Sequence, residues 1–257
     1  MRHSPVYREY DGAEKTAVFI HGFMSGPGHF SELAEAVYES GCSCLSVLLP
    51  GHGGTFRQFV KSNAGEWERH VQNEIGKIRD KYKEMYLVGH SMGGLLALNA
   101  SLLEENKISG VFLISTPLKI NLLSPKAFLF RVRLVRLSKD HEIKSAYIKS
   151  SGVSAYSPFS LPLIVKPVIN FYRVVRKTRK NLPKVSVPVY MFHSRNDETT
   201  SYKSAKLFYD GLCNTERYTF PLSESRHSYY CEDEREIIMK KLIDVIKASQ
   251  IIPVGHK

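Results

Sequence analysis

The chain has 257 residues, 43% of them hydrophobic, and a formal net charge of +11. That length suits one large domain, or one domain carrying an insert, with enough apolar residues for a substantial core. No run approaches the roughly 18 uninterrupted apolar residues of a membrane-spanning helix. The opening Met1–Pro5 leads into polar YREYDGAEK with no apolar secretory core. Cys42, Cys44, Cys213 and Cys231 lack metal-ligand spacing and read as inert thiols of a reducing compartment, so a cytoplasmic location is expected.

In chain order, TAVFIHGF reads as a buried strand ending at a glycine. HFSELAEAVYESG follows as a helix with Gly41 at its C-terminal end. CSCLSVLLPGHGG is a strand running into a Gly-rich loop. NAGEWERHVQNEIGKIRDKY is helical, with Trp67, Val71, Ile75 and Ile78 at three- or four-residue spacing. EMYLVGHS is a strand, MGGLLALNASLLEE a helix and ISGVFLIST another strand. The rhythm breaks after Pro117 and resumes with the strand VPVYMFHSRND, the helix SYKSAKLFYDGL, the strand TERYTFPLS and the acid-started helix EDEREIIMKKLIDVIKAS. Strands separated by helices predict a mostly parallel central sheet with helices on both faces. Residues 1–117 and 184–257 therefore read as one α/β core, split by a helical insert at 118–183. The insert holds 14 Lys and Arg against two acids, Asp140 and Glu142, so the excess positive charge belongs to it alone.

Gly89-His90-Ser91-Met92-Gly93 matches G-x-S-x-G and sits between a strand and a helix, the context that motif requires. A serine at that turn projects its hydroxyl beside the unpaired N–H groups of a helix N-terminus. It needs a base, and the base needs an orienting acid, in the chain order serine, acid, histidine. Asp197 and His227 each follow a late strand and fit that order. His193 is a rival base that comes too early, and Glu198 is a rival acid. Two amides must face the oxyanion: Met92 N–H directly after the serine, and Phe23 N–H from the loop IHGFMSGPG. Gly22, Gly26 and Gly28 read as room for that loop to approach substrate. His21, Gly22 and His90 read as support for the pocket.

HGFMSGPGHFSELAEAVYESG, LLPGHGG, GEWERHV, LVGHSMGGLLAL, STP, LPKVSVPVYMFHSRNDETT and SESRHSYYCEDEREIIMKKLIDVI together resemble the α/β-hydrolase superfamily, and within it bacterial carboxylesterases and monoacylglycerol lipases. The resemblance spans nearly the whole chain outside the insert. It implies an α/β-hydrolase fold whose insert is a helical cap. It also implies a Ser91–Asp197–His227 triad with an oxyanion hole from Phe23 and Met92. The expected activity is hydrolysis of carboxylic esters, acylglycerol-like or other small acyl esters, through an acyl-enzyme. No metal or organic cofactor is expected. A thioesterase or acyltransferase with the same triad, or a non-catalytic lipid-binding member, are the alternatives. One departure is Arg226, where the family usually has glycine before the histidine; a cation there is expected to make the imidazole harder to protonate. The cations of the insert suit a solvated outer face or an anionic lipid surface. No nucleic-acid recognition motif accompanies them, and no obligate protein partner is evident.

Overall fold

The computed structural model describes residues 3–121, 125–154 and 158–248. The ends of the ranges read above, and residues 122–124 and 155–157 of the insert, lie outside these. The strands are β1 (Val6–Arg8), β2 (Lys15–Ile20), β3 (Ser43–Ser46), β4 (Glu84–His90), β5 (Ile108–Ile114), β6 (Val189–Ser194) and β7 (Arg217–Leu222). They form one sheet in the order β1-β3-β2-β4-β5-β6-β7, with only β1 antiparallel to its neighbour. The three central strands are buried almost end to end, as expected where helices cover both faces.

The helices are α1 (Ser31–Glu39), α2 (Phe56–Lys61), α3 (Ala64–Ile78), α4 (Met92–Ala100), α5 (Pro125–Arg136), α6 (Glu142–Ser150), α7 (Val165–Asn181), α8 (Lys203–Gly211) and α9 (Glu232–Ala248). α1 and α9 build the core on one face, through Leu33, Val37, Ile238 and Leu242. α2, α3, α4, α7 and α8 build it on the other, through Phe59, Trp67, Leu95, Val174 and Phe208. α4 is buried on every side, so it reads as uniformly apolar rather than striped. α3 begins with a reciprocal cap between Asn63 and Glu66.

Two elements are absent from the sequence reading. β1 is three residues long and largely exposed, and its order comes from pairing with β3. α2 follows the Gly-rich loop, in a stretch between the segments read above; Thr55 and Gln58 form a capping box at its start. Within 118–183, α7 packs against α4, with Thr178 bonded to Asn99 and to the Leu95 carbonyl. α6 and the segment after it bond to the loops that follow β2 and β6, through Ser150 with Ser25 and Gly26, Gly152 with Met24, and Tyr147 with Glu198. Among the described residues no helix is long and apolar enough to cross a membrane. Cys42 and Cys44 are free and buried, and burial pushes their thiols up to about 12 and about 11.

The sheet order positions the site. From β2 the chain passes to β3 on one side, then crosses back to β4 on the other. Such a switch opens a crevice beyond the carboxyl ends of β2 and β4. Phe23 follows the end of β2, and Ser91 follows the end of β4.

Candidate active site

Ser91 joins β4 to α4 with φ 53° and ψ −121°, a left-handed conformation that a non-glycine residue adopts only under constraint. Its N–H donates to the Ile114 carbonyl at 2.9 Å, pinning the turn to β5. The neighbouring glycines are demanded by close approach. A Cβ on Gly93 would stand 1.8 Å from the Ile20 carbonyl oxygen, and one on Gly89 would stand 2.3 Å from the Gly94 Cα.

The structure brings the three predicted side chains together. His227 Nε2 lies 3.1 Å from Ser91 Oγ, and His227 Nδ1 lies 2.9 Å from Asp197 Oδ2. Asp197 Oδ1 accepts the Thr199 and Thr200 N–H groups, both at 2.7 Å. The carboxylate is thus fixed by main-chain donors and turned toward the ring. Ser91 and Asp197 are buried, 5% and 4% exposed.

The loop carrying His227 is held along its length. Glu234, at the start of α9, accepts the N–H groups of Ser223, Glu224 and Ser225. Partial burial works against its charge, yet these donors prevail and bring its carboxyl from 4.5 down to about 2. His90 Nε2–H donates to the His227 carbonyl at 2.7 Å, and the Tyr230 hydroxyl donates to the same oxygen at 3.3 Å. The rings of His29, His90 and His227 form a column, with centroids 3.9 Å and 4.8 Å apart. Burial drives His90 well below its ordinary value and His29 to about 3, so both stay neutral behind the third ring. The position of His29 in this column has no sequence signal.

The residues read as pocket support divide in the same way. His21 donates from Nδ1 to the Gly22 carbonyl and accepts the Leu49 N–H at Nε2; burial keeps it neutral. Gly22 lies against the serine turn, where a Cβ would meet the Ser91 Cβ at 3.0 Å. Phe23 follows Gly22 directly in the chain, and Met92 is the first residue of α4. The Phe23 ring stacks on Phe171, 5.4 Å between centroids. At Gly26 a Cβ would meet the His3 ring at 3.0 Å and the Gly152 Cα at 3.2 Å, and at Gly28 the Lys149 carbonyl at 2.8 Å, so both glycines lie close against the insert.

His193 is buried and donates to the Thr116 carbonyl, and no bond joins it to Ser91. Glu198 accepts bonds from the Tyr147 hydroxyl and from the His227 N–H rather than from the imidazole ring. The Arg226 guanidinium lies 5.0 Å from the centroid of the Phe130 ring on α5, so its charge is directed at the insert.

The profile of the family described as Serine aminopeptidase, S33, matches residues 11–234. The chain belongs to this family of α/β hydrolases. The S33 hydrolase is 22% identical over 233 residues to a thermostable monoacylglycerol lipase of Bacillus sp. (strain H-257), covering 88% of each chain. It is 18% identical over 241 residues to a carboxylesterase of Bacillus subtilis (strain 168), covering 93% of this chain and 94% of that one. A crystal structure of Paleococcus ferrophilus monoacylglycerol lipase superposes with a TM-score of 0.70 at 18% identity, over 96% of this chain and 99% of that one. At these identities the shared property is the fold.

Proposed function

We propose that this chain is a serine hydrolase of carboxylic esters, of the acylglycerol or another small acyl type. One observation carries the reading: the line Ser91 Oγ–His227 Nε2–Asp197 Oδ2, with spacings of 3.1 Å and 2.9 Å, in a strained turn at a helix N-terminus. With Nδ1–H donated to Asp197, Nε2 carries the lone pair that takes the serine proton. Ser91 Oγ then attacks the ester carbonyl. The developing oxyanion is received by the N–H groups of Met92 and Phe23, each such donor being worth about 10²–10³ in rate. His227 returns the proton to the leaving alcohol and next activates water to release the acid. The named activities of the relatives, monoacylglycerol lipase and carboxylesterase, support an ester substrate.

The test is hydrolysis of p-nitrophenyl esters from acetate to palmitate by wild type and Ser91→Ala. Wild type turns over, and the variant falls by at least about 10⁴-fold. A wild type no faster than the variant at every chain length overturns the reading.

The basic insert adds a surface to this reading. α5 and α7 contribute four and six cations and no acid. Leu129 and Val135 on α5 and Val165, Ile169 and Tyr172 on α7 are exposed beside them. Apolar residues among cations suit an anionic lipid interface, where acylglycerols reside. The enzyme is expected to sediment with vesicles containing phosphatidylserine and not with phosphatidylcholine alone; equal binding to both would remove this assignment.

A further inference from the structure

α6 touches both halves of the site. At its C-terminal end, Ser150 O accepts the Gly26 N–H at 3.0 Å and the Ser25 hydroxyl at 2.8 Å. Two residues on, Gly152 N–H donates to the Met24 carbonyl at 2.9 Å, and Gly152 O accepts the Gly53 N–H at 2.5 Å. The segment after α6 is therefore fastened to the loop that carries Phe23. Met24, next to Phe23, holds a left-handed φ of 58° under this contact.

On the other half, the contact runs through a buried carboxylate. Tyr147 of α6 donates its hydroxyl to Glu198 Oε1, and Glu198 Oε2 accepts the His227 N–H at 3.4 Å. Glu198 is 3% exposed. Two successive acids thus hold one histidine: Asp197 takes the ring, and Glu198 takes the main chain. A second tie from α6 is the Tyr229 hydroxyl on Glu142, at 2.9 Å. Burial and the nearby Glu198 carboxylate push the Tyr147 phenol well above its ordinary range, so it stays a proton donor.

Withdrawing α6 would leave Glu198 Oε1 without its phenol donor, and a buried acceptor stripped of its partner is unfavourable. The carboxylate must then turn toward solvent, and the His227 N–H loses its acceptor. We infer that Glu198 and Tyr147 are positioning residues that couple the seating of α6 to the placement of His227, so the base is aligned only when α6 is docked. The inference rests on the ester-hydrolase reading for its kinetic consequence, but not for its structural one.

The experiment compares wild type, Tyr147→Phe, Glu198→Gln and the double variant, on p-nitrophenyl butyrate and by hydrogen–deuterium exchange. Each single variant is expected to lower kcat about ten-fold with KM within about two-fold, since a misplaced base costs rate rather than binding. The double variant is no slower than the slower single, because both act through one contact. Exchange in the 224–230 peptide quickens in both singles, while peptides of β4 and α4 keep the wild-type rate. Additive losses, unchanged kcat in an active wild type, or unchanged exchange at 224–230 each overturn the coupling. An inactive wild type whose variants still show faster exchange at 224–230 separates failure of the ester reading from failure of this one.

Discussion

Replacing Asp197 with asparagine is expected to lower kcat/KM for a p-nitrophenyl ester by about 10⁴-fold while the protein stays folded. The reason lies in which oxygen faces what. Asp197 Oδ1 accepts the Thr199 and Thr200 N–H groups at 2.7 Å, so in the variant the amide oxygen must keep that place. The amide nitrogen then occupies the position of Oδ2, 2.9 Å from His227 Nδ1. An NH₂ group there cannot accept the Nδ1 proton at the shorter contact and favours the tautomer with the ring proton on Nε2, against the oxygen kept 3.1 Å from Nδ1. Nε2–H cannot take the Ser91 proton. The wrong tautomer, more than a lost charge, is the expected defect, and alkaline assay cannot repair it. Steady-state kinetics from pH 6 to 9, with circular dichroism to check the fold, decide the matter. A variant within about ten-fold of wild type would mean that His227 keeps its tautomer without Asp197.

Gly93→Ala is expected to destabilise the protein by at least about 4 kcal/mol, among the largest effects a single methyl can have. The added Cβ would stand 1.8 Å from the Ile20 carbonyl oxygen and 2.7 Å from that of His21. Both obstacles are main chain at the end of β2, so no side chain can turn away. Either β2 or α4 must shift, and both are buried in the centre of the sheet and its covering layer. For a chain of this size each kcal/mol moves the melting point by about 2–4 °C, so a drop near 10 °C or more is expected in thermal unfolding. The shift also displaces the loop after β2, so the folded fraction should lose activity as well. Gly76→Ala is the matched control: it lies in α3, has open space at its Cβ, and should gain up to about 1 kcal/mol. Equal melting points for Gly93→Ala and wild type would show that β2 and α4 part easily.

Both predictions concern residues that the sequence makes readable. Ser91 lies in a motif with a strand before it and a helix after it, and β2, β4 and β5 announce themselves as apolar runs because both their faces are covered. Asp197 and His227 follow from chain order, since each must end a late strand of a parallel sheet. What stays hidden depends on long-range docking. β1 carries no apolar pattern because its partner β3, not burial, orders it. α2 is only six residues long beside a Gly-rich loop, too short for its capping box and the spacing of Phe56 and Phe59 to mark a helix plainly. Glu198 reads as a rival to Asp197 because composition cannot say which of two adjacent acids meets the ring and which meets the main chain. Tyr147 is 51 residues away from it, and its role exists only once α6 is docked. Arg226 likewise reads as a neighbour of the base, whereas tertiary contact turns it to Phe130.

The stitching of residues 150–154 bears on how such enzymes could be recombined. The insert looks modular along the chain, a block between two halves of a core, which invites exchange of one insert for another at its ends. Ser150, Gly152 and Ser154 nevertheless bond main chain to main chain with Gly26, Met24, Gly53 and Gly54. A chimaera cut at the ends of the insert would therefore import a foreign seam against this chain's own loops. The natural unit of exchange is the insert together with residues 22–28 and 50–55, three separate stretches of sequence that behave as one tailored piece.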